Sequence, residues 1–106
     1  MKIVAYEKSD GKIPFKDWFD SLDSTAAARV KIALVRLELG NTSNVKWFEG
    51  IGEYKIDWGP GYRIYLAKIG KQIMLLLGGG TKKKQQKDIK KAKELFVEYK
   101  ARKMRK

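Results

Sequence analysis

The chain has 106 residues, a hydrophobic fraction of 43%, 24 lysines and arginines against 12 acids, and neither cysteine nor histidine. That length suits one domain around one core, and the apolar content argues against disorder. The missing residue types exclude disulfides, thiolate zinc sites and the commonest general base.

No apolar run approaches membrane-spanning length, and no signal-peptide pattern opens the chain. The expectation is a cytoplasmic protein with no metal and no cofactor. Its net charge of +12 points to polyanionic partners. The charge is uneven: residues 81–106 hold ten lysines and two arginines against three acids, a net of +9. The end of the chain, from about residue 100, reads as a basic tail that frays.

In chain order, residues 2–6 form a short strand carrying the β-branched Ile3 and Val4. Asp10-Gly11-Lys12 is a turn. Pro14 suits the first turn of a helix, where its missing N–H would be unpaired anyway. Phe15, Trp18, Phe19 and Leu22 then recur at i, i+3, i+4 and i+7, so they mark a buried helical face rather than a base-stacking platform. Asp23 or Ser24 caps a second helix. It runs to about Leu39 with Val30, Ala33, Leu34 and Leu37 on one side, and Gly40-Asn41 ends it. The two helices make a hairpin.

Three strands follow, at about Glu53–Asp57, Tyr62–Ile69 and Gln72–Leu77. Gly59-Pro60-Gly61 and Gly70-Lys71 are the turns between them. Ile73 to Leu77 is continuously apolar, which predicts an interior strand buried on both faces. Gly78-Gly79-Gly80 ends it. Ile89, Ala92, Leu95 or Phe96, and Tyr99 stripe a last helix whose opposite face is lysine-rich. The expected fold is a single α+β domain over 1–106 in the order β-α-α-β-β-β-α, with a mostly antiparallel sheet, a helical hairpin and a C-terminal helix, the helices packed on one face.

The triglycine before Thr81-Lys82 lacks the spacing of a phosphate-binding loop, so it reads as turns or as room for close approach. Asp17, Asp20 and Asp23 fall at helical spacing and read as a solvated face. The richer pattern is basic and aromatic. On alternating strands Arg63 and Tyr65 share one face and Tyr62 and Ile64 the other. A concave patch of Lys55, Arg63, Tyr65, Lys82, Lys84 and Gln85 would hold a phosphate with several donors and stack a base on tyrosine. The same residues would equally serve as a general anion-binding or partner-binding surface.

Several runs taken together resemble a known superfamily. They are Gly11-x-x-Pro14-Phe15-x-x-Trp18-Phe19-x-x-Leu22, the Gly40-Asn41 helix end, Glu53-x-Lys55-Ile56, Gly59-Pro60-Gly61-Tyr62-Arg63-Ile64-Tyr65, and Gly79-Gly80-x-Lys82-x-x-Gln85-x-x-Asp88-Ile89. Five motifs in this order are similar to the RelE/ParE toxins, and within them to the HigB-like branch of phage-derived, addiction-module killer proteins. The resemblance reaches to about Leu95 and implies the same β-α-α-β-β-β-α fold.

It further implies the toxin of a type II toxin–antitoxin system, an endoribonuclease that cuts mRNA at the ribosome and inhibits translation. A small helix-turn-helix antitoxin would hold it inactive, and the complex would bind operator DNA through the antitoxin. By position Arg63 would clamp the scissile phosphate, with Lys82, Lys84 and Lys55 in the catalytic set. Tyr62, Tyr65, Lys83 and Gln85 would contact RNA. Thr81 and Lys83-Lys84 depart from the branch pattern, as does the missing histidine. Proton transfer would then fall to lysine, tyrosine, a carboxylate or water. The alternatives are a ParE-type toxin that poisons gyrase without catalysis, and an inactive, toxin-like nucleic-acid-binding protein.

Overall fold

The computed structural model describes residues 1–104. The elements are β1 (Lys2–Ala5), α1 (Pro14–Asp20), α2 (Ser24–Glu38), β2 (Val45–Phe48), β3 (Ile51–Ile56), β4 (Tyr62–Ile69), β5 (Ile73–Thr81), a single 3-10 turn (Lys82–Lys84) and α3 (Gln85–Met104). The five strands form one mixed sheet in the order β1-β5-β4-β3-β2. β1 lies parallel to β5 and every other neighbouring pair is antiparallel. The fold is α+β, and the interior position expected for the Ile73–Leu77 run is the one observed.

Local chemistry explains the helix starts. Pro14 opens α1, and the Asp23 carboxylate accepts the Ala26 N–H at 2.8 Å to cap α2. The chain leaves α2 through Gly40 at a positive φ of 83°.

Three expectations are corrected. A further strand, β2, precedes β3, reached by a two-residue turn in which Glu49 and Gly50 both have positive φ. β2 is short and mostly exposed at the sheet edge, so it carries little of the apolar alternation that betrays a strand. Secondly, the triglycine does not end β5. Gly78, Gly79 and Gly80 stay in register with Tyr65, Ile64 and Arg63, after a bulge at Leu77.

Thirdly, the helices cover both faces. α1 and α2 pack on the side carrying Tyr54, Ile64, Leu66, Met74 and Leu76. α3 packs on the side carrying Ile51, Tyr65, Ala67, Leu75 and Leu77. The two central strands are apolar on both faces and need a cover on each. The basic tail expected from about residue 100 is helical as far as it is described. α3 continues through Met104, and Arg102 is tied back to the N-terminal strand region by hydrogen bonds to the Tyr6 hydroxyl at 3.2 Å and the Glu7 carbonyl at 2.7 Å. Residues 105–106 of that tail lie outside the described residues.

Candidate functional site

The two glycine motifs meet on one hairpin. Tyr62 pairs with Thr81 and Arg63 with Gly80, while Lys55 pairs with Arg63 from the other side. Register alone therefore lines Lys55, Arg63 and Gly80 across one end of the sheet, with the Lys82–Lys84 turn immediately beyond. The Lys82 N–H donates to the Pro60 carbonyl at 3.4 Å, which holds that turn against the β3–β4 loop. Lys55, Lys82, Lys83 and Lys84 are all exposed.

Arg63 differs from them. Only 4% of it is exposed, and Glu53 beside it is 6% exposed. Its Nη1 donates to the Gly61 carbonyl at 2.6 Å, and its Nε lies 3.7 Å from Glu53 Oε2. Gln85, in the first turn of α3, donates from Nε2 to both Glu53 oxygens at 2.9 and 3.2 Å. Gln85 thus faces inward, and Arg63 is the cation of a buried polar layer beneath the start of α3.

Tyr65, at 1% exposure, belongs to the same layer. Its ring lies in the core under α3, so neither of its faces is open to a base. Burial, with the Glu53 and Asp88 carboxylates adding to it, pushes the Tyr65 phenol well above its ordinary range. Tyr62 points the other way, into the α1–α2 side, where it stacks on Trp58 at 6.1 Å and meets Trp18 edge-on at 6.4 Å. Of the expected patch, then, the fold joins Arg63, Tyr65 and Gln85 in a sealed layer. It sets Lys55 and the three turn lysines outside that layer, and it separates Tyr62 from both.

Two carboxylates complete the layer: Glu53, which faces Arg63, and Asp88, in the first turn of α3. The Asp88 side chain lies over Gly80, in the space a Cβ there would fill. Burial raises the Asp88 pKa, against the pull of Lys84, Lys91 and Lys87. Sequence signals existed for both: an acid within a mostly apolar strand, and a lone aspartate among lysines. Trp18 fills the equivalent space over Gly79 from the opposite face. Neighbouring side chains, not a turn, explain why both positions are glycine.

Arg63 Nε, the Tyr65 hydroxyl and Asp88 Oδ2 are buried without hydrogen-bond partners. Each such atom costs about 1–3 kcal/mol when nothing satisfies it. Among the described residues no three His, Cys, Asp or Glu side chains come together to hold a metal ion, and no helix is long and apolar enough to cross a membrane.

No family model matches the chain. It is 40% identical over 88 residues to an uncharacterized protein of Haemophilus influenzae, an alignment covering 81% of this chain and 89% of that protein. Identity at that level over nearly the whole of both sequences makes them relatives, and this chain belongs to the family of the Haemophilus influenzae protein.

Proposed function

We propose that the chain is the toxin of a type II toxin–antitoxin system, a RelE/ParE-type protein of the HigB-like branch that cleaves mRNA at the ribosome without a metal. One observation carries this reading: the strand register and the turn after β5 gather Lys55, Lys82, Lys83 and Lys84, all exposed, at one end of the sheet. The element order supports it, being the β-α-α-β-β-β-α series with one edge strand added. The partners that follow are a helix-turn-helix antitoxin, mRNA with the ribosome, and operator DNA through the antitoxin.

In the reaction the ribose 2′-hydroxyl gives its proton to lysine, a carboxylate or water as its oxygen attacks the adjacent phosphorus. The bond to the 5′-oxygen breaks and that oxygen takes up a proton, leaving a 2′,3′-cyclic phosphate and a 5′-hydroxyl. Negative charge builds on the phosphate oxygens, and lysines already in place at the sheet end stabilise it. Arg63, only 4% exposed, is not open to that phosphate in this structure. At rest, Arg63 instead fixes Gly61 and the loop that holds Lys82.

The test is end-group analysis of mRNA incubated with the protein in a translating extract. Cyclic or 3′-phosphate ends are expected. A Lys55→Ala, Lys82→Ala, Lys84→Ala variant should cleave on the order of a hundredfold more slowly, and cleavage at the parent rate would sink the proposal. The burial of Arg63 and Tyr65 favours a second reading, a ParE-type toxin that poisons gyrase without catalysis. Gyrase-dependent DNA breaks with intact RNA would establish it.

A further inference from the structure

α2 is apolar on two opposite sides. Ala26, Val30, Ala33 and Leu37 are buried, and the last three pack with the sheet core. Ala28, Ile32, Val35 and Leu39 lie on the far side and are all exposed. Their spacing is i, i+4, i+7 and i+11, the 4-3-4 repeat of a helix that packs its seam against another helix. In that repeat Ala28 and Val35 take d, and Ile32 and Leu39 take a. Val30 and Leu37 fall at f, the position a helix pair leaves in water, and here the protein's own core takes it.

Ile32, Val35 and Leu39 are 50%, 52% and 80% exposed, and they are half of the six large apolar side chains exposed among the described residues. Scattered apolar residues on a surface need no explanation, but a stripe at helix-pairing spacing does. A surface helix needs one apolar stripe, and α2 already has that on its buried side.

The flanks of the exposed stripe are mostly cationic. Arg29 and Arg36 occupy e, and Lys31 and Glu38 occupy g. Among the described residues none of these three cations is in an ion pair. Arg29 lies 4.9 Å above the Trp58 ring and Lys31 6.0 Å from that of Phe19, so aromatic faces hold them while their charges stay unneutralised. On the arginine side the surface dips into a cavity of about 570 Å³ between α2 and the edge of the sheet. Arg29, Ile32 and Arg36 form one wall, and Lys46, Lys55 and Trp58 stand across it. Its acids are Asp57 and Glu53, and Glu53 already faces Arg63.

These charges choose the occupant. A second copy of this chain is disfavoured: parallel pairing would set Lys31 against Arg36, and antiparallel pairing would set arginine against arginine on one flank. A nucleic acid would meet the cations but leave the aliphatic seam in water. A helix with apolar seam residues and acids beside them satisfies both.

We propose that the outer face of α2 docks an amphipathic helix of another protein, its apolar seam on Ala28, Ile32, Val35 and Leu39 and its acidic flanks on Arg29, Arg36 and Lys31. The surface owes nothing to catalysis at the lysine turn, so it goes beyond the function proposed above and holds or fails independently of it.

The probe is a synthetic helix of about three heptads with leucine at a and d and glutamate at e and g, whose like charges keep it from pairing with itself. It is titrated into the isotope-labelled full chain and followed by NMR and calorimetry. Expected are shift changes centred on Ile32, Val35 and Leu39, and binding at least about tenfold tighter than that of the same helix with lysine at e and g. The double variant Ile32→Ser, Leu39→Ser should weaken binding about tenfold or more, and Arg29→Glu, Arg36→Glu should reverse the charge preference. All four positions are exposed, and thermal melts check that the variants are folded. No binding, or shift changes confined to α3 and the lysine turn, would overturn the proposal. So would equal binding of a glutamate helix with serine in its seam, which is charge attraction alone. A dimer of the chain by itself in sedimentation, dissolved by Ile32→Ser, Leu39→Ser, would assign the face to a second copy. Displacement of the probe by single-stranded RNA, with the same shift changes, would assign it to nucleic acid. Either result overturns the proposal as well.

Discussion

Glu53 and Arg63 are each other's compensation in a place with little water. Removing one partner of such a pair leaves an uncompensated buried charge, which costs about 3–5 kcal/mol. Glu53→Ala should therefore lower stability by that order in urea titrations, whereas Lys82→Ala, on the surface, should change it by less than about 0.5 kcal/mol. Asp88 carries the pH dependence of the layer. Burial holds its pKa above the ordinary 3.8, so the folded chain keeps a proton that the unfolded chain has already released. The stability linked to that proton is complete below 3.8 and is lost as pH rises through the raised value. Asp88→Asn has no such loss. Its stability relative to the parent should rise from acid to neutral pH and then level off, and a flat difference across that range would contradict the assignment.

At the scale of elements, the glycines of β5 are packing residues. A methyl group at Gly79 would collide with the Trp18 ring, and Gly79→Ala should destabilise by about 1–3 kcal/mol, as overpacked cores do, measured by thermal unfolding. This is also where the limits of reading the sequence become physical. The α1–α2 hairpin, β4 and the course of α3 were legible because periodic apolar side chains announce a buried face. β2 was not, because an edge strand with Lys46 and Trp47 exposed needs no such pattern. The placement of α3 on the second face was hidden in the continuous apolar runs, which say that both sides are covered but not by what. The lysines of the site were visible as composition. The burial of Arg63 was not, since it depends on Glu53 and Gln85, 32 positions apart, meeting through the fold.

For the whole molecule, charge sets the terms of association. Three quarters of the net +12 lies in residues 81–106, on the 3-10 turn, α3 and the two residues that follow. Binding to single-stranded nucleic acid should weaken with salt with a slope of about −0.7 in log–log terms for each phosphate neutralised. Replacing Lys82, Lys83 and Lys84 by alanine should flatten that slope, and filter binding across a salt series reads it directly.

The topology also has a consequence in time. β1 comes first in the chain, yet its sheet partner is β5, which begins at Ile73. At about 5–20 residues per second of synthesis, a nascent chain spends several seconds with β1 unpaired. At the end of that interval, once β4 is made and until β5 is complete, β4, the middle strand of the finished sheet, is an open edge available to other chains. The basic turn and α3 follow β5, so the cationic end of the sheet is assembled last. A chain cut short before Ile73 would be adhesive, because β4 would have no partner on that side and the lysine turn that follows β5 would be missing.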